Sequence, residues 1–228
     1  REALKKNPAS FDPIRQHVAL RRDTVPEASS LQGVEGGALN LASKKVTEDS
    51  WKQEFVGDAH IELKDHIISH WKDKEHYAPY CTIVESTGTG KSRMVDEFSR
   101  ANFTLTVNLR DPPAQGFPPS DDKVYKYFEP ESLGAKTLDE LWVHVTAFML
   151  ALFEECKKAI LTVMEKECSC DNDRKEWLHH KGAVWFRDKM TEGQTMKSQG
   201  EYRVNFYNSV VLRAEEVVVD SALAWTVY

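Results

Sequence analysis

The stretch VESTGTGKS, residues 84–92, decides the fold that the sequence predicts. A loop that holds a polyphosphate must point backbone N–H groups inward, and glycines let the chain bend that closely without a Cβ clash. Gly88 and Gly90 suit such a bend, and Lys91 and Ser92 follow at the start of a predicted helix. The last three of these residues complete the end of the pattern G-x-x-x-x-G-K-[ST], which predicts a phosphate-binding loop.

The first position of that pattern holds Glu85 instead of glycine. The glycine there mainly eases the turn from strand to loop, so its replacement weakens the pattern without removing a phosphate donor. A carboxylate that faced the phosphates would weaken binding, whereas one that ends the strand pointing away would not. The competing interpretation is a glycine-rich turn between two elements, with Lys91 solvated.

The neighbouring segments supply the context that such a loop needs. The run YAPYCTIVES (77–86) predicts a strand, SRMVDEFSRA (92–101) predicts a helix with Met94, Val95 and Phe98 on one face, and FTLTVNLR (103–110) predicts a second strand. The order strand, loop, helix, strand favours an α/β fold with a partly parallel sheet flanked by helices.

The rest of the chain divides into an arm and a helix-rich remainder. Residues 1–48 have no sustained apolar period and predict a largely irregular N-terminal arm, with a short helix conceivable near 14–21. A helix is expected over 49–71, and residues 110–135 are expected to be mostly loop. Thr137 and Glu140 fit a capping box that opens a helix reaching about Glu167. Two further helices are expected, around Trp177 to Phe186 and from Phe206 onward. The predicted domains are thus 1–48 and 49–228.

Composition limits the partners and the compartment. The formal charge of −6 and the pI near 5.8 argue against a general nucleic-acid or anionic-membrane binder. The four cysteines are too few and too irregularly spaced for a disulfide scaffold, which favours an intracellular, reducing compartment and the cytoplasm in particular. No apolar run approaches the length of a membrane span. Because the chain begins at Arg1 rather than Met, a secreted effector remains open.

The loop chemistry predicts a bound nucleoside triphosphate with Mg²⁺. Lys91 would place its ammonium against the β- and γ-phosphates as the predicted catalytic residue, and Ser92 would offer its hydroxyl to the metal. ATP is favoured over GTP because no guanine-reading N-K-x-D pattern occurs. The predicted nucleotide-binding residues are Ser86, Thr87, Gly88, Thr89, Gly90, Lys91 and Ser92.

Hydrolysis needs a second acidic residue on the metal, and two aspartates are candidates. Asp111 follows the second predicted strand and is taken with Ser92 as the predicted metal pair, although Asp before Pro-Pro is also a common turn. Asp220 follows three valines, but these continue a helical period, which favours an aspartate on a helix surface. Arg93 and Arg110 are expected at the surface, and Asp96 with Glu97 on a solvated helix face.

The segments ESTGTGKSRMVDEFSR (85–100), FTLTVNLRDPPAQGFPP (103–119) and YRVNFYNSVVLRA (202–214) resemble a group of fungal P-loop NTPase-like proteins related to Crinkler-type effectors. The resemblance spans residues 50–215 and is most specific over 86–110. It implies a P-loop domain that lacks its downstream part, with Lys91 and Ser92 as the phosphate and Mg²⁺ contacts, but it implies no established activity. The function that we expect is Mg²⁺-dependent binding of a nucleoside triphosphate and, where a second acidic residue completes the metal site, its hydrolysis by a regulatory or effector-type NTPase.

Two other interpretations compete with a nucleotide site. In the first, the chain is a non-catalytic module: its loop is degenerate, and its helical second half binds a protein partner. A metal cluster of Cys168, Cys170, His179 and His180 is the weaker alternative, because C-x-C is not a usual zinc spacing and adjacent histidines point to different sides of a helix.

Overall fold

The computed structural model describes residues 49–51, 53–71, 81–84, 90–111, 116–129 and 137–225, with side chains as far as Asp220. The chain divides into two units at Thr47, and all described residues belong to the second unit, Glu48–Tyr228. The predicted arm and its helix near 14–21 lie outside the described residues.

The described part of the chain is built from helices. They are α1 (Ala59–His70), α2 (Lys91–Ala101), α3 (Asp122–Tyr127), α4 (Leu138–Glu167), α5 (Asp171–Trp177), α6 (Ala183–Thr191) and α7 (Glu201–Trp225), with a π-helical turn, Leu178–Gly182, between α5 and α6. None of these helices combines the length and the apolar character needed to cross a membrane.

The long helix α4 begins and ends where the sequence predicts. The Glu140 backbone N–H donates to Thr137 Oγ1 at 3.3 Å, and the Thr137 N–H donates to Glu140 Oε2 at 2.7 Å. These two bonds form the predicted capping box, which satisfies amide groups that the first turn leaves unpaired. The helix ends at Glu167, as predicted.

The core lies between α4 and α7, and α3 and α6 close it. The small residues Ala151 and Ala214 are fully buried, which allows close packing where they lie. Larger side chains fill the remaining space. The buried core residues include Val124, Tyr127, Phe148, Leu152, Phe186, Met190, Phe206, Tyr207, Val210 and Val211.

The prediction of one helix over 49–71 is wrong in its first half. The chain makes a helical turn at 49–51, leaves the helix, and enters α1 only at Ala59. Gly57 has φ +107°, a left-handed conformation that interrupts a right-handed helix and that glycine adopts without a Cβ penalty. No residue of α1 is buried, so the apolar period over these residues does not mark a core helix.

The predicted α/β fold with a partly parallel sheet is also wrong. The described residues are mainly helical, and no strand or sheet occurs among them. Residues 81–84, the described part of the first predicted strand, form no strand and are all exposed. The second predicted strand, 103–110, has no strand beside it in the part of the chain that the structure describes. Both segments therefore have the strand composition without the strand partner.

Side chains and a loop take the place of a neighbouring strand beside 103–110. The Asn108 backbone N–H donates to Asp121 Oδ2 at 2.7 Å, and the Asp121 N–H donates to the Asn108 carbonyl at 3.0 Å. Asn108 Nδ2 donates to the carbonyls of Pro118 and Pro119, at 2.7 and 2.9 Å. Proline has no N–H, so this loop cannot form a ladder, and the asparagine side chain makes the link.

Helix α7 completes the support of this extended segment. Arg203 Nη2 donates to the Thr106 carbonyl at 2.7 Å, and the Tyr207 hydroxyl donates to the same carbonyl. Leu105 and Val107 pack against the core. The β-branched, alternating sequence thus specifies an extended chain, but helices rather than strands cover it.

Helix α3 occupies part of the segment predicted as loop. Asp121 precedes it, and Val124 and Tyr127 point into the core with 0% and 6% of their surfaces exposed. The spacing of three between these two apolar residues is helical. From the sequence alone, the prolines and glycine on either side favour a loop, and two apolar residues are too short a pattern to predict a helix there.

Candidate functional site

The predicted phosphate loop ends in a left-handed glycine that leads directly into α2. Gly90 has φ +87° and ψ +13°, and its carbonyl accepts a 2.8 Å bond from the Met94 N–H. This region of conformation favours glycine, because other L-residues bring Cβ too close to the backbone. Helix α2 starts at the next residue, Lys91.

The N-terminal end of α2 is electropositive. Its N-cap residue, Gly90, has no side chain that could cap it, and its first turn contains no acidic residue. The first amide groups of a helix have no partner within the helix, and the aligned peptide dipoles add a partial positive charge there. A basic residue, Lys91, and a hydroxyl residue, Ser92, begin this turn. Such an end attracts an anion.

The structure places three of the predicted binding residues together. Gly90 and Ser92 are exposed, and Lys91 between them is half-buried. Helix α2 confirms the predicted helix after the loop. The rest of the predicted loop lies outside the described residues: Glu85, Ser86, Thr87, Gly88 and Thr89.

Asp96 anchors α2 to α6 from the side. Arg187 donates to its two carboxylate oxygens, from Nε at 2.9 Å and from Nη2 at 2.6 Å, and Arg93 Nη1 donates to Oδ2 at 3.1 Å. Asp96 is buried, so the prediction of a solvated face is wrong for it. Glu97 pairs with Arg100 at 3.2 Å.

The charge of Arg187 is well compensated in this network. Desolvation alone lowers the pKa of a guanidinium, but the hydrogen bonds to Asp96 and Asp188 and the charges of these carboxylates outweigh it and raise the pKa of Arg187. Reading the sequence locally misses this residue, because Arg187 lies 91 positions after Asp96. Only folding brings the two together.

The two arginines predicted at the surface have structural roles. Arg93 Nη2 donates to the Gln53 carbonyl at 2.6 Å, and its guanidinium lies 5.5 Å from the centre of the Trp51 ring. Arg110 Nη1 donates to the Pro118 carbonyl at 2.9 Å. These contacts tie the chain before α1 to α2, and the extended segment to the proline loop.

The candidate acidic residues differ in their surroundings. Asp111 is exposed at the end of the extended segment, and Asp220 is exposed on α7, as a helix-surface aspartate is expected to be. The carboxylate that sequence reasoning missed is Asp121, which is 5% exposed and accepts two 2.7 Å bonds from Arg203. That guanidinium occupies both of its oxygens, so Asp121 has a structural role.

No group of three or more His, Cys, Asp or Glu side chains is placed to hold a metal ion in the part of the chain that the structure describes. Cys168, Cys170, His179 and His180 all belong to that part, and they do not form such a group. Cys170 instead caps α5, since its sulfur accepts from the Asp173 N–H at 3.5 Å.

Comparison with known proteins identifies a family without a known activity. A family model described as a domain of unknown function, DUF8735, matches residues 54–221, which is more than half of the chain. No curated protein and no solved structure matches the chain.

Proposed function

The chain belongs to the DUF8735 family, whose function is unknown, and we propose that it binds the phosphate groups of a nucleoside triphosphate, ATP in preference to GTP, together with Mg²⁺. The binding site is the N-terminal end of α2, formed by Gly90, Lys91 and Ser92. The proposal concerns a phosphate-binding helix end within a helical protein, since the described fold contains no sheet.

One observation carries this proposal. Gly90 adopts the left-handed conformation directly before a helix of 11 residues whose first turn begins with Lys91 and has no acidic residue. A structural glycine turn needs only the left-handed conformation. A helix end with a lysine and without an acidic residue favours an anion, and Gly90, Lys91 and Ser92 match the end of the pattern that surrounds phosphate in nucleotide-binding loops.

Each residue has a separate part in the proposed binding. The amide groups of the first turn donate to phosphate oxygens, and Lys91 adds a full positive charge. The Ser92 hydroxyl is exposed and would be a ligand of the Mg²⁺ that neutralises the remaining phosphate charge. Asp96, held by Arg187 of α6 and by Arg93 in the first turn of α2, fixes α2 against α6.

Isothermal titration of the full chain with ATP, with and without Mg²⁺, tests the proposal. We expect Mg²⁺-dependent binding, and Lys91→Ala is expected to weaken it by about tenfold or more, because a charge-assisted contact contributes roughly 1.5–3 kcal/mol. Ser92→Ala should reduce the Mg²⁺ dependence more than the affinity without metal. GTP is titrated in parallel to rank the bases.

A matched control separates a site from general charge attraction. Lys166 is an exposed lysine of α4, and Lys166→Ala removes the same charge away from α2. Its affinity for ATP should equal that of the unmodified protein. The proposal would be overturned if both lysine variants lost the same affinity for ATP, or if the unmodified protein and both variants did not bind ATP.

A protein-interaction module is the second candidate, and an exposed apolar stripe on α4 favours it. Leu138, Trp142, Met149 and Phe153 expose 71, 64, 42 and 57% of their surfaces. Their spacings of four, seven and four residues place them on one side of the helix. Contiguous exposed apolar surface of this kind often marks a protein contact.

The two candidates respond to different substitutions. Trp142→Lys should abolish binding of a protein partner and leave the affinity for ATP unchanged. Lys91→Ala should weaken ATP binding and leave binding of the protein partner unchanged. If ATP does not bind and a partner is captured by the unmodified protein but not by Trp142→Lys, the interaction module replaces the nucleotide site as the function.

A further inference from the structure

A cleft lies between α3, α4 and α7. It has a volume of about 460 Å³, in the range of small-molecule sites. Helix α3 contributes Lys123, Lys126 and Tyr127, helix α4 contributes His144, and helix α7 contributes Asn208, Val211, Leu212 and Glu215.

Tyr127 and His144 form one rigid wall of this cleft. Their rings stack with centroids 3.9 Å apart and an angle of 8° between the planes. The Tyr127 hydroxyl donates to the His144 carbonyl at 2.9 Å, and His144 Nε2 lies 3.0 Å from the Tyr127 carbonyl. A carbonyl only accepts, so Nε2 carries the hydrogen, and in the tautomer with its one ring hydrogen on Nε2 the Nδ1 atom is an acceptor.

Two polar atoms of the lining residues lack the partner that they need. His144 Nδ1 and Asn208 Oδ1 are buried and make no hydrogen bond. Buried polar atoms in native proteins are nearly always paired, and an unpaired one destabilises the folded state. Both of these atoms are acceptors and both belong to the same cleft. The missing partner is therefore a hydrogen-bond donor.

The charges around the cleft are of both signs. The carboxylate of Glu215 is close enough to Tyr127 to add to the rise that burial causes in the pKa of its hydroxyl, to about 12. Lys123 and Lys126 stand on the facing helix α3, and Val211 and Leu212 add an apolar surface on α7. An occupant with a single charge would meet a like charge on one side.

We propose that this cleft binds a small zwitterion of the α-amino-acid class. The ammonium group donates to His144 Nδ1 and Asn208 Oδ1, directly or through one bridging water, beside Glu215. The carboxylate pairs with Lys123, and an apolar side chain lies against Val211 and Leu212. This assignment uses no residue of the phosphate site and does not depend on it.

Titration of the full chain with L-leucine, followed by ligand-observed NMR, tests the assignment. Two analogues serve as controls: 4-methylpentanoic acid lacks the ammonium group, and 3-methylbutylamine lacks the carboxylate. We expect leucine to bind, and each analogue to bind at least about tenfold more weakly, because each leaves a charged group of the cleft unpaired.

Variants of the lining residues locate the binding. Lys123→Met and Asn208→Leu should each weaken leucine binding about tenfold, whereas Lys157→Met, on the exposed surface of α4, should not change it. Lys123 is exposed, so its substitution leaves the fold intact and decides the test even if Asn208→Leu does not fold. Lys91→Ala should also leave leucine binding unchanged.

The contrary results are equally definite. If leucine does not bind, or if it binds no better than its two analogues, the cleft is not a zwitterion site. A leucine affinity that survives both Lys123→Met and Asn208→Leu would place the binding elsewhere and overturn the assignment.

Discussion

Arg203–Asp121 and Arg187–Asp96 are both two-point contacts between a guanidinium and a carboxylate, but they lie at different depths. The side chains of the first pair are 5% and 2% exposed, and those of the second are 15% and 9% exposed. The first joins α7 to the residue before α3, and the second joins α6 to α2. Each pair links positions more than 80 residues apart in the sequence.

The deeper pair supplies hydrogen bonds to the backbone of the extended segment, as a neighbouring strand does in a sheet. Asp121 also accepts from the Asn108 N–H, and Arg203 also donates to the Thr106 carbonyl, so the pair holds the extended segment at two positions. The shallower pair shares Asp96 with Arg93 and holds only a helix that has its own hydrogen bonds. The Arg203–Asp121 pair is more deeply buried and supports more hydrogen bonds, so we expect it to contribute more to the stability of the fold than Arg187–Asp96.

The largest effect is expected from Arg203→Met. It leaves the Asp121 carboxylate buried without its counter-charge and removes two donors from the extended segment. Loss of one partner of a buried ion pair costs about 3–5 kcal/mol. Urea unfolding followed by circular dichroism measures the loss, and a decrease below about 1 kcal/mol would contradict the assigned role.

The double variant Arg203→Met with Asp121→Asn sharpens that result. It removes the unpaired charge, so the double variant should be more stable than Arg203→Met alone. If the two substitutions instead add, the cost comes from lost packing and not from a stranded carboxylate.

Arg187→Met is expected to have the intermediate effect, about 2 kcal/mol of unfolding free energy. Asp96 keeps its bond to Arg93 and is less fully desolvated, so its charge remains partly compensated. The same urea experiment compares the two variants directly. A loss as large as that of Arg203→Met would mean that depth does not distinguish the two pairs.

Tyr207→Phe tests the bond beside the deeper pair and should cost about 1 kcal/mol near neutral pH, because one hydrogen bond to the Thr106 carbonyl is lost. Burial raises the pKa of Tyr207 above its ordinary value of 10.0. The unfolded state therefore releases this proton first as the pH rises, and the stability from Tyr207 is full below pH 10 and falls above it. The difference between the two proteins should shrink above pH 10.

The smallest effect is expected at an exposed pair. Arg213 donates to Glu154 at 2.8 Å between α7 and α4, but both side chains are more than a third exposed. Water and salt screen such a pair, so Arg213→Gln should leave the urea midpoint unchanged. A clear shift would show that the ranking by burial is incomplete.

Local sequence signals predict α2, α4 and α7, but not α3, which lies in a segment predicted as loop. Thr137 and Glu140 define the start of α4, because a capping box acts within one helical turn. The apolar periods after Lys91 and around Phe206 likewise predict α2 and α7, although α7 begins earlier, at Glu201. The sheet could not be excluded this way, because residues 103–110 have the same alternation whether a strand or a helix covers them.

For the site, the sequence predicts which residues follow one another but not what surrounds them. The turn at Gly90 and the helix beginning at Lys91 are local features, and the structure shows both. Nucleotide binding and the resemblance to P-loop proteins stay predictions. The burial of Asp96 and Asp121 was not predictable, because each depends on an arginine that is distant in the chain.

The sequence by itself determined α2, α4 and α7 and the extended course of residues 103–110, since caps and apolar periods act over a few residues. Only the tertiary structure decided what the extended segment pairs with and which carboxylates are buried. The physical reason is that these outcomes depend on desolvation and on bonds between distant residues, such as Arg203 with Asp121, and no local pattern encodes them.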